Sequence, residues 1–530
     1  MEFLFPFVNT TTLLLTALLF FTFYYIKKNT NTRKPEPPKA AGGWPIVGHL
    51  PLLSGSEPPF ITLGRLADKY GPIYSMKLGM HKAVVVSSKE LAKELFTAKD
   101  LAVSDRPELT ATKHLGYNGA MFAIGRYGEY WREMRKMVMV ELLSNRQVDL
   151  LQSVRTSEAE TFVKELYNYW KSDCNRNESG QILVDMNYWF GDMSLNMYLR
   201  AVVGKRYSGT TAEADRKIAD RCKSALRGFF HYLGLFVLGD AIPFLGWLDA
   251  GGHVKSMKKT AQELNEIASE WLEEHYRKRD STKSGAENNE VQDLMGIMLN
   301  VLDGVSFSGH NTDMINKSTC VNLIAGGADT SSVILTWTIS LILNNKNTLE
   351  KAYEELDKVV GRERRVQESD IKNLPYIQAI LKETLRLYPP APLLGPREMR
   401  EDCILGGYFI KKGTRVLPNV WKIHTDPNLW PDPMEFKPER FLSEKYKDIE
   451  VKGQHYELLP FGSGRRSCPG FSLGMSFLQL SLAIFLQCFE ISNPTDEPID
   501  MTGLPGLNYE KKIPLQILAS PRLSPEIYSM

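Results

Sequence analysis

Three groups of residues in this chain have types and spacings suited to redox chemistry. Cys468 stands in FGSGRRSCPG, residues 461–470, among Gly462, Gly464 and Gly470 and just after Arg465 and Arg466. Glycines let backbone approach a bulky group because no Cβ intervenes, and a thiolate is favoured by neighbouring cations and N–H donors. On the cysteine alone two readings stay open: an axial ligand to haem iron, or a structural cysteine in a glycine-rich turn. The second group lies in Cys320–Leu343, apolar nearly all round as in a fully buried helix, yet carrying Gly326, Gly327, Asp329 and Thr330. Each interior glycine costs about 1 kcal/mol against alanine, and a buried carboxyl must find partners or give up its charge. An acid beside a hydroxyl on an apolar wall makes a proton path; the competing reading of the glycines is a notch for a neighbouring helix. The third group is Trp131 and Arg135, four apart on one helix face, able to hold a cofactor's acidic groups or to make an ordinary surface contact.

These residues need a large scaffold. The chain has 530 residues, 43% of them hydrophobic, enough for an extensive core; length alone suggests about three domains. A net charge of +2 argues against nucleic acid or an acidic polymer as partner. The six cysteines lie far apart, with no CxxC pair and no zinc spacing, a pattern suited to a reducing compartment. Ile73–Leu78 and Lys82–Val86 read as strands of a hairpin around Gly79, followed by a helix at Lys89–Phe96. Helical periodicity covers Ser144–Tyr169, Leu183–Val203, Ala212–Phe230 and Met257–Lys278. Asp173–Gly180 and Asp280–Asn289 read as surface loops rather than domain linkers. The apolar, aromatic stretch Phe229–Trp247 reads as core, with a membrane-dipping entry segment as the second reading. Glu383 and Arg386 stand three apart on a helix that Pro389 and Pro390 end.

The N-terminus differs from the rest. Phe3–Ile26 carries no charge and Leu13–Ile26 is almost wholly apolar, close to the roughly 20 residues of a membrane-spanning helix. Lys27, Lys28, Arg33 and Lys34 follow it and only Glu2 precedes it, which fits a cleaved signal peptide poorly. The positive-inside rule leaves the body in the cytosol. Residues 1–28 are therefore expected to be a retained anchor, 29–50 a proline-stiffened spacer, and 51–530 one catalytic domain.

Phe461, Gly464, Arg466, Cys468 and Gly470 fill every fixed position of Phe-x-x-Gly-x-Arg-x-Cys-x-Gly. The string resembles the haem-binding signature of the cytochrome P-450 family. Other pieces stand in the family's order: WREMR after Asp105-Arg106-Pro107, Gly326–Ser331, KETLRLYPP, APLLGPRE and FKPERF. Phrases such as AGGWPIVGHL, NVWKIHTDP and SPRLSPEIY look closest to plant microsomal members, the group holding nicotine demethylases, coumarin and flavone hydroxylases and benzylisoquinoline-alkaloid hydroxylases.

The resemblance implies a mainly α fold, a large helical bundle around haem with small β-sheets, preceded by one transmembrane helix in the endoplasmic reticulum. It implies haem b on the Cys468 thiolate, with Phe461, Arg466, Trp131, Arg135 and Arg397 also at the cofactor. It assigns Thr330 to hydrogen-bonding the dioxygen to be activated and Asp329 to relaying protons. Glu383, Arg386 and Arg440 become a buried structural triad, and Leu323, Gly326, Leu393, Leu394 and Leu504 line the substrate pocket. The implied reaction is monooxygenation of a small lipophilic compound. No nucleotide-binding glycine fingerprint is present, so electrons are expected from an NADPH-dependent reductase, with Arg132, Lys136 and Arg465 either docking it or simply solvated. A haem-thiolate isomerase or dehydratase could dispense with Asp329 and Thr330, and a non-catalytic haem carrier would need no proton path; N- or O-demethylation starts with the same hydroxylation. The recognition windows are apolar and no carboxylate is clearly placed in them to anchor an amine, Glu108 and Asp240 being the candidates. A flavone, coumarin or lignan is favoured over an alkaloid.

Overall fold

One helix of 33 residues, Thr312–Asn344, runs through the middle of the molecule. The computed structural model describes residues 15–22, 34–172, 176–207, 213–283, 292–305, 307 and 309–529. This central helix starts where the Asn311 side chain accepts the Met314 N–H, and its second half is buried almost without a break. Thr338 and Ser340 are tolerated there because each hydroxyl donates to the carbonyl four residues back, at 2.7 and 2.8 Å. Met186–Val203 and Phe471–Cys488 pack against it. Among the described residues only Phe471–Cys488 is long and apolar enough to cross a membrane, and it is a core helix, 72% buried.

Three small sheets flank the bundle. Ile73–Leu78 (β1) and His81–Val86 (β2) form the expected hairpin, Gly79 supplying φ +63° at the turn. Ile182–Asp185 (β3) follows much later, then Arg397–Glu398 (β4), Cys403–Leu405 (β5), Tyr408–Ile410 (β6), Arg415–Pro418 (β7), Phe489–Ser492 (β8) and Gln516–Pro521 (β9). The orders are β1-β2-β7-β4, β3-β9-β8 and β5-β6. β7 joins β2 in parallel, Val84 facing Val416, and β4 joins β7 antiparallel, which carries Arg397 on a sheet edge.

Several boundaries differ from the sequence expectations. The helix expected from Leu183 begins at Met186, because Ile182 and Val184 pair with β9 and Asp185 accepts the N–H groups of Asn187 and Tyr188. The helix expected over Ser144–Tyr169 is two, Asn145–Leu150 and Gln152–Lys171, parted at Leu151, whose side chain is buried in the core. Expectations for Met257–Lys278 and Ala212–Phe230 become His253–Lys283 and Glu213–Leu233, Ala212 lying outside the described residues. Residues 280–283 are thus helix rather than loop, while 284–289 and 173–175 lie outside the described residues.

The proline-rich stretch is not a free spacer in its second half. Ala40 N–H donates to Ser75 O (2.9 Å), Ser75 N–H to Pro38 O (2.8 Å) and His49 N–H to Lys77 O (2.8 Å), strapping residues 38–49 along β1. Prolines that cannot donate here still accept. The expected anchor falls mostly outside the described residues; the helix over 15–22 within it exposes Leu15, Leu18, Leu19, Phe20 and Phe21. Phe229–Trp247 is core in part, with Phe229, Val237 and Ala241 buried and Phe244 and Trp247 exposed. Asp240 is buried and engaged by Thr110 N–H and Oγ1 at 2.7 and 2.8 Å, and Glu108 is exposed.

Candidate active site

The loop 461–470 is folded by its own residues and by one distant acid. Gly462 and Gly464 take φ +66° and +71°, and the Cys468 N–H donates to Phe461 O at 2.9 Å. A Cβ on Gly464 would lie 2.4 Å from Asp100 Oδ1. The Asp100 carboxylate fills that space, accepting from the Arg465 N–H (3.0 Å) and Nη1 (2.7 Å) and from Arg397 Nη1 (3.5 Å). Asp100 thereby joins the cysteine loop to β4. The open surface of Cys468 is cavity wall. Burial pushes its thiol pKa up, while the Gly470 N–H and Arg135 pull it back.

Cys468 lines a cleft of about 250 Å³, just below the usual range for cofactor and small-molecule sites (about 300–1,000 Å³). Phe461, Trp131, Arg135, Arg397, Arg466, Gly326, Thr330 and Leu394 line it too. Residues more than 330 positions apart, expected at one cofactor, are thus brought together. Trp131 does so in an unexpected way: its indole N–H is taken by Phe122 O at 2.9 Å, and its ring carries the Arg466 guanidinium at 4.2 Å. It positions a cation rather than offering a free donor. Leu394 sits at φ +53°, a conformation a branched side chain adopts only where its surroundings impose it.

Leu323, Leu393 and Leu504, expected in the pocket, do not line this cleft. Leu323 packs against the main core, Leu393 packs with Phe60, Trp337 and Tyr509, and Leu504 is 43% exposed. Alternation and apolarity do not say which side of a hairpin tip faces in. Two residues that spacing alone does not single out belong to the site. Arg106 lines the cleft, donating through Nη1 to Gly395 O and Pro396 O while its buried Nε has no partner. His424 connects the loop to the helix Pro375–Leu387, accepting the Leu459 N–H at Nε2 (2.8 Å), so that Nδ1 donates to Arg386 O (3.1 Å). Burial, then the charge on Arg386, holds its pKa down at about 3, and the ring stays neutral.

On the central helix the two glycines have separate reasons. Gly326 faces the cleft, and the Thr330 hydroxyl donates back to its carbonyl at 2.8 Å. Gly327 faces Tyr198, whose ring would lie 2.1 Å from a Cβ there. The notch reading is met at Gly327, and Gly326 is the glycine that faces the cleft. Gly327→Ala is expected to destabilise the fold by about 1–3 kcal/mol through overpacking, seen as a lower unfolding midpoint. Gly326→Ala, with only Asn322 Nδ2 at 3.8 Å, meets no clash and should raise that midpoint through its better helix propensity. Asp329, next to Thr330, accepts from Asn508 Nδ2; burial raises its pKa, with Asn508 and Arg227 opposing.

Behind the site Glu383 is wholly buried, bonded to Arg386 through both oxygens at 2.7 Å and to Arg440 Nε at 3.1 Å. Arg386 also donates to His424 O (2.8 Å), Pro433 O (2.7 Å) and Glu435 O (3.2 Å). The expected triad is assembled.

A family model described as "Cytochrome P-450" matches residues 36–516. The chain is 55% identical over 492 residues to strychnine-10-hydroxylase from Strychnos nux-vomica, covering 93% of this chain and 92% of that protein. It is 50% identical over 502 residues to flavonoid-6-hydroxylase from Ocimum basilicum, with 93% and 92% covered. A solved zebra fish cytochrome P-450 with progesterone superposes with a TM-score of 0.72 at 27% identity, covering 88% of this chain and all of that one. The helical bundle with small sheets is that protein's fold, and by sequence and structure together the chain belongs to the cytochrome P-450 family and is a monooxygenase of it.

Proposed function

We propose that this chain holds haem b through the Cys468 thiolate and hydroxylates a small lipophilic plant secondary metabolite. The observation that carries this reading is the cleft's charge. Arg106, Arg135, Arg397 and Arg466 converge on it, and among the described residues no carboxylate lines it. Burial, then repulsion from Arg106, holds the pKa of Arg397 down at about 9; burial, Arg106 and Arg397 hold that of Arg466 at about 8. Buried cations are stable only when paired, and the unpartnered Arg106 Nε marks where an acidic edge would bind. A haem, with two propionates on one edge and an iron that takes a thiolate, fits this donor set.

When bound, the haem supplies dioxygen activation and insertion of one oxygen atom. The chain's own residues do the rest. Cys468 holds the iron, the arginines orient the group, and Phe122, Ala123, Ile334 and Leu394 exclude water from the cleft. Thr330 presents a hydroxyl anchored on Gly326 O, and beside it stands the Asp329 carboxyl, whose pKa burial raises. Thr330→Ala is expected to uncouple the enzyme, so that NADPH is consumed and hydrogen peroxide replaces most of the product. Unchanged peroxide per NADPH would remove Thr330 from the proton path. The Asp329–Thr330 arrangement also favours monooxygenation over isomerisation or dehydration.

Electrons come from a membrane-bound NADPH-dependent reductase. Arg132 and Lys136, exposed on the Trp131 helix, are the candidates to dock it; Arg465 is engaged by Asp100. We assign residues 1–28 as an anchor in the endoplasmic reticulum membrane, residues 29–50 as the linker and residues 51–530 as the cytosolic catalytic domain. The exposed apolar side chains of helix 15–22 support the anchor. Exposed Trp44, Ile46 and Met80 support a membrane-facing side together with Phe244 and Trp247, since the Met80 N–H donates to Ala241 O at 2.9 Å.

The acid-free, largely apolar cleft supports a neutral aromatic substrate of flavone, coumarin or lignan type. The 55% identity to a strychnine hydroxylase supports an alkaloid as the second reading. Turnover of a mixed panel in membranes containing a plant reductase separates them. Gain of one oxygen by a single class names the substrate, and no product beside an intact reduced carbon-monoxide spectrum rejects every class in the panel.

A further inference from the structure

The strap of residues 38–49 and the β1–β2 hairpin line a cavity of about 620 Å³ that plays no part in the reading above, more than twice the cleft beside Cys468 at about 250 Å³. Its inner wall is apolar, formed by the buried side chains of Met76 in β1, Val84 in β2 and Ile410 in β6. Its rim is basic. Lys39 comes from the strap, Lys77 and Lys82 from the two strands and Lys411 from the turn after β6, and all four are exposed. Among the described residues no carboxylate pairs with any of them, and Glu36 is the single acid on the cavity. His49 fixes the strap in place: its Nδ1 accepts the Lys77 N–H at 3.0 Å and its Nε2 donates to Ala40 O at 3.1 Å. Trp44 lines the cavity with its side chain largely exposed, and Ile46 and Met80 are exposed nearby, because Trp44 is bridged to Gly48 and Gly48 to Leu78.

We propose that this cavity binds an anionic phospholipid of the leaflet that the domain faces, one acyl chain against Met76, Val84 and Ile410 and the phosphate among the four lysines. The site rests on the membrane reading above, in which residues 1–28 anchor the chain. Small-molecule sites are mostly apolar with a few convergent polar groups, and here the apolar wall and the cationic rim match the two ends of an amphiphile. A cluster of roughly four to eight basic residues just cytosolic of an anchor attracts anionic headgroups. These lysines have no acid to give up before they meet a phosphate. A zwitterionic lipid brings an ammonium group that the same lysines repel. The chain's own preceding segment is excluded as occupant by its charge, since Lys27, Lys28 and Arg33 would add cations to a cationic rim. Tryptophan settles at headgroup level in a bilayer, so Trp44 sets the cavity at the depth where a lipid phosphate lies.

The test uses the full chain in phosphatidylcholine vesicles with and without phosphatidylserine. Each lipid in turn carries a photoactivatable group on its acyl chain, and labelled peptides are mapped by mass spectrometry. Phosphatidylserine should label the peptides holding Met76, Val84 and Ile410 several-fold more than phosphatidylcholine does, and high salt should narrow the difference. Lys39→Ser, Lys77→Ser, Lys82→Ser and Lys411→Ser combined should bring phosphatidylserine down to the phosphatidylcholine level. Ala41→Trp, at an exposed position on the cavity, should block labelling of the same peptides while leaving the rim charge in place. The reduced carbon-monoxide spectrum of each variant checks that it is folded, and Ala41→Trp alone decides if the quadruple variant fails that check. Equal labelling by the two lipids overturns the proposal, as does labelling that survives Ala41→Trp. Full competition by glycerophosphoserine, which has the headgroup and no acyl chain, overturns it in favour of a free-phosphate site. If the wild type sediments with phosphatidylcholine vesicles, a negative labelling result sinks only the lipid site; if it sediments with neither kind of vesicle, the membrane reading itself falls.

Discussion

Cys468→Ala is expected to abolish the thiolate-type reduced carbon-monoxide spectrum and all turnover, while leaving the protein folded. The side chain receives the Gly470 N–H, but that contact is not what shapes the loop. The loop is held instead by the Cys468 N–H on Phe461 O, by the positive φ of Gly462 and Gly464, and by Asp100 beneath Gly464. Removing one sulfur therefore deletes an iron ligand without unpicking the cradle, and the arginines still offer a cationic edge to the propionates. Absorption spectra with and without carbon monoxide, beside an unfolding curve, check both halves. A thiolate spectrum in the variant would reject Cys468 as ligand, since among the described residues no other cysteine lines the cleft.

The second large effect is on stability. Glu383→Ala should cost about 3–5 kcal/mol, the usual penalty for leaving buried charges without their partner. Arg386 is wholly buried and Arg440 nearly so, and both point at the same carboxylate. A typical fold has only about 5–15 kcal/mol in hand, so most of the margin would go. The damage should also reach the cysteine loop, because Arg386 holds His424 and His424 holds the Leu459 N–H. Glu383→Ala is therefore expected to lower both the unfolding midpoint and the haem content of the purified protein. A midpoint equal to that of the wild type would show that the arginines find other acceptors and that the triad is dispensable. Glu383→Gln, which keeps the shape and removes the charge, should fall between the two.

Much of the site was legible in the sequence because its members are close in sequence on regular elements. Thr330 reaches the Gly326 carbonyl because they stand four apart on a helix, Glu383 and Arg386 meet because they stand three apart, and Trp131 and Arg135 share a face for the same reason. The glycines around Cys468 announce a backbone that only they adopt readily. Helix boundaries were less legible: Ile182–Asp185 has an apolar pattern compatible with helix, and only the neighbouring β9 makes it a strand.

The sequence by itself determined the glycine-rich turns around Cys468, the apolar central helix and the Glu383–Arg386 pair three apart on one helix, while the resemblance supplied the ligand role of Cys468 and added Arg440, 57 positions from Glu383. Tertiary structure decided which distant partners complete them. Asp100 reaches Arg397 and Arg465 across 297 and 365 positions, Arg106 joins the cationic rim, Trp131 turns its donor to Phe122 rather than to the cleft, and Asn508 comes to Asp329 on a hairpin tip. It also left Leu504 43% exposed and packed the half-buried Leu323 and Leu393 against the core clusters. Through-space proximity selects such partners, and nothing in the linear order encodes it until the bundle and the sheets have packed.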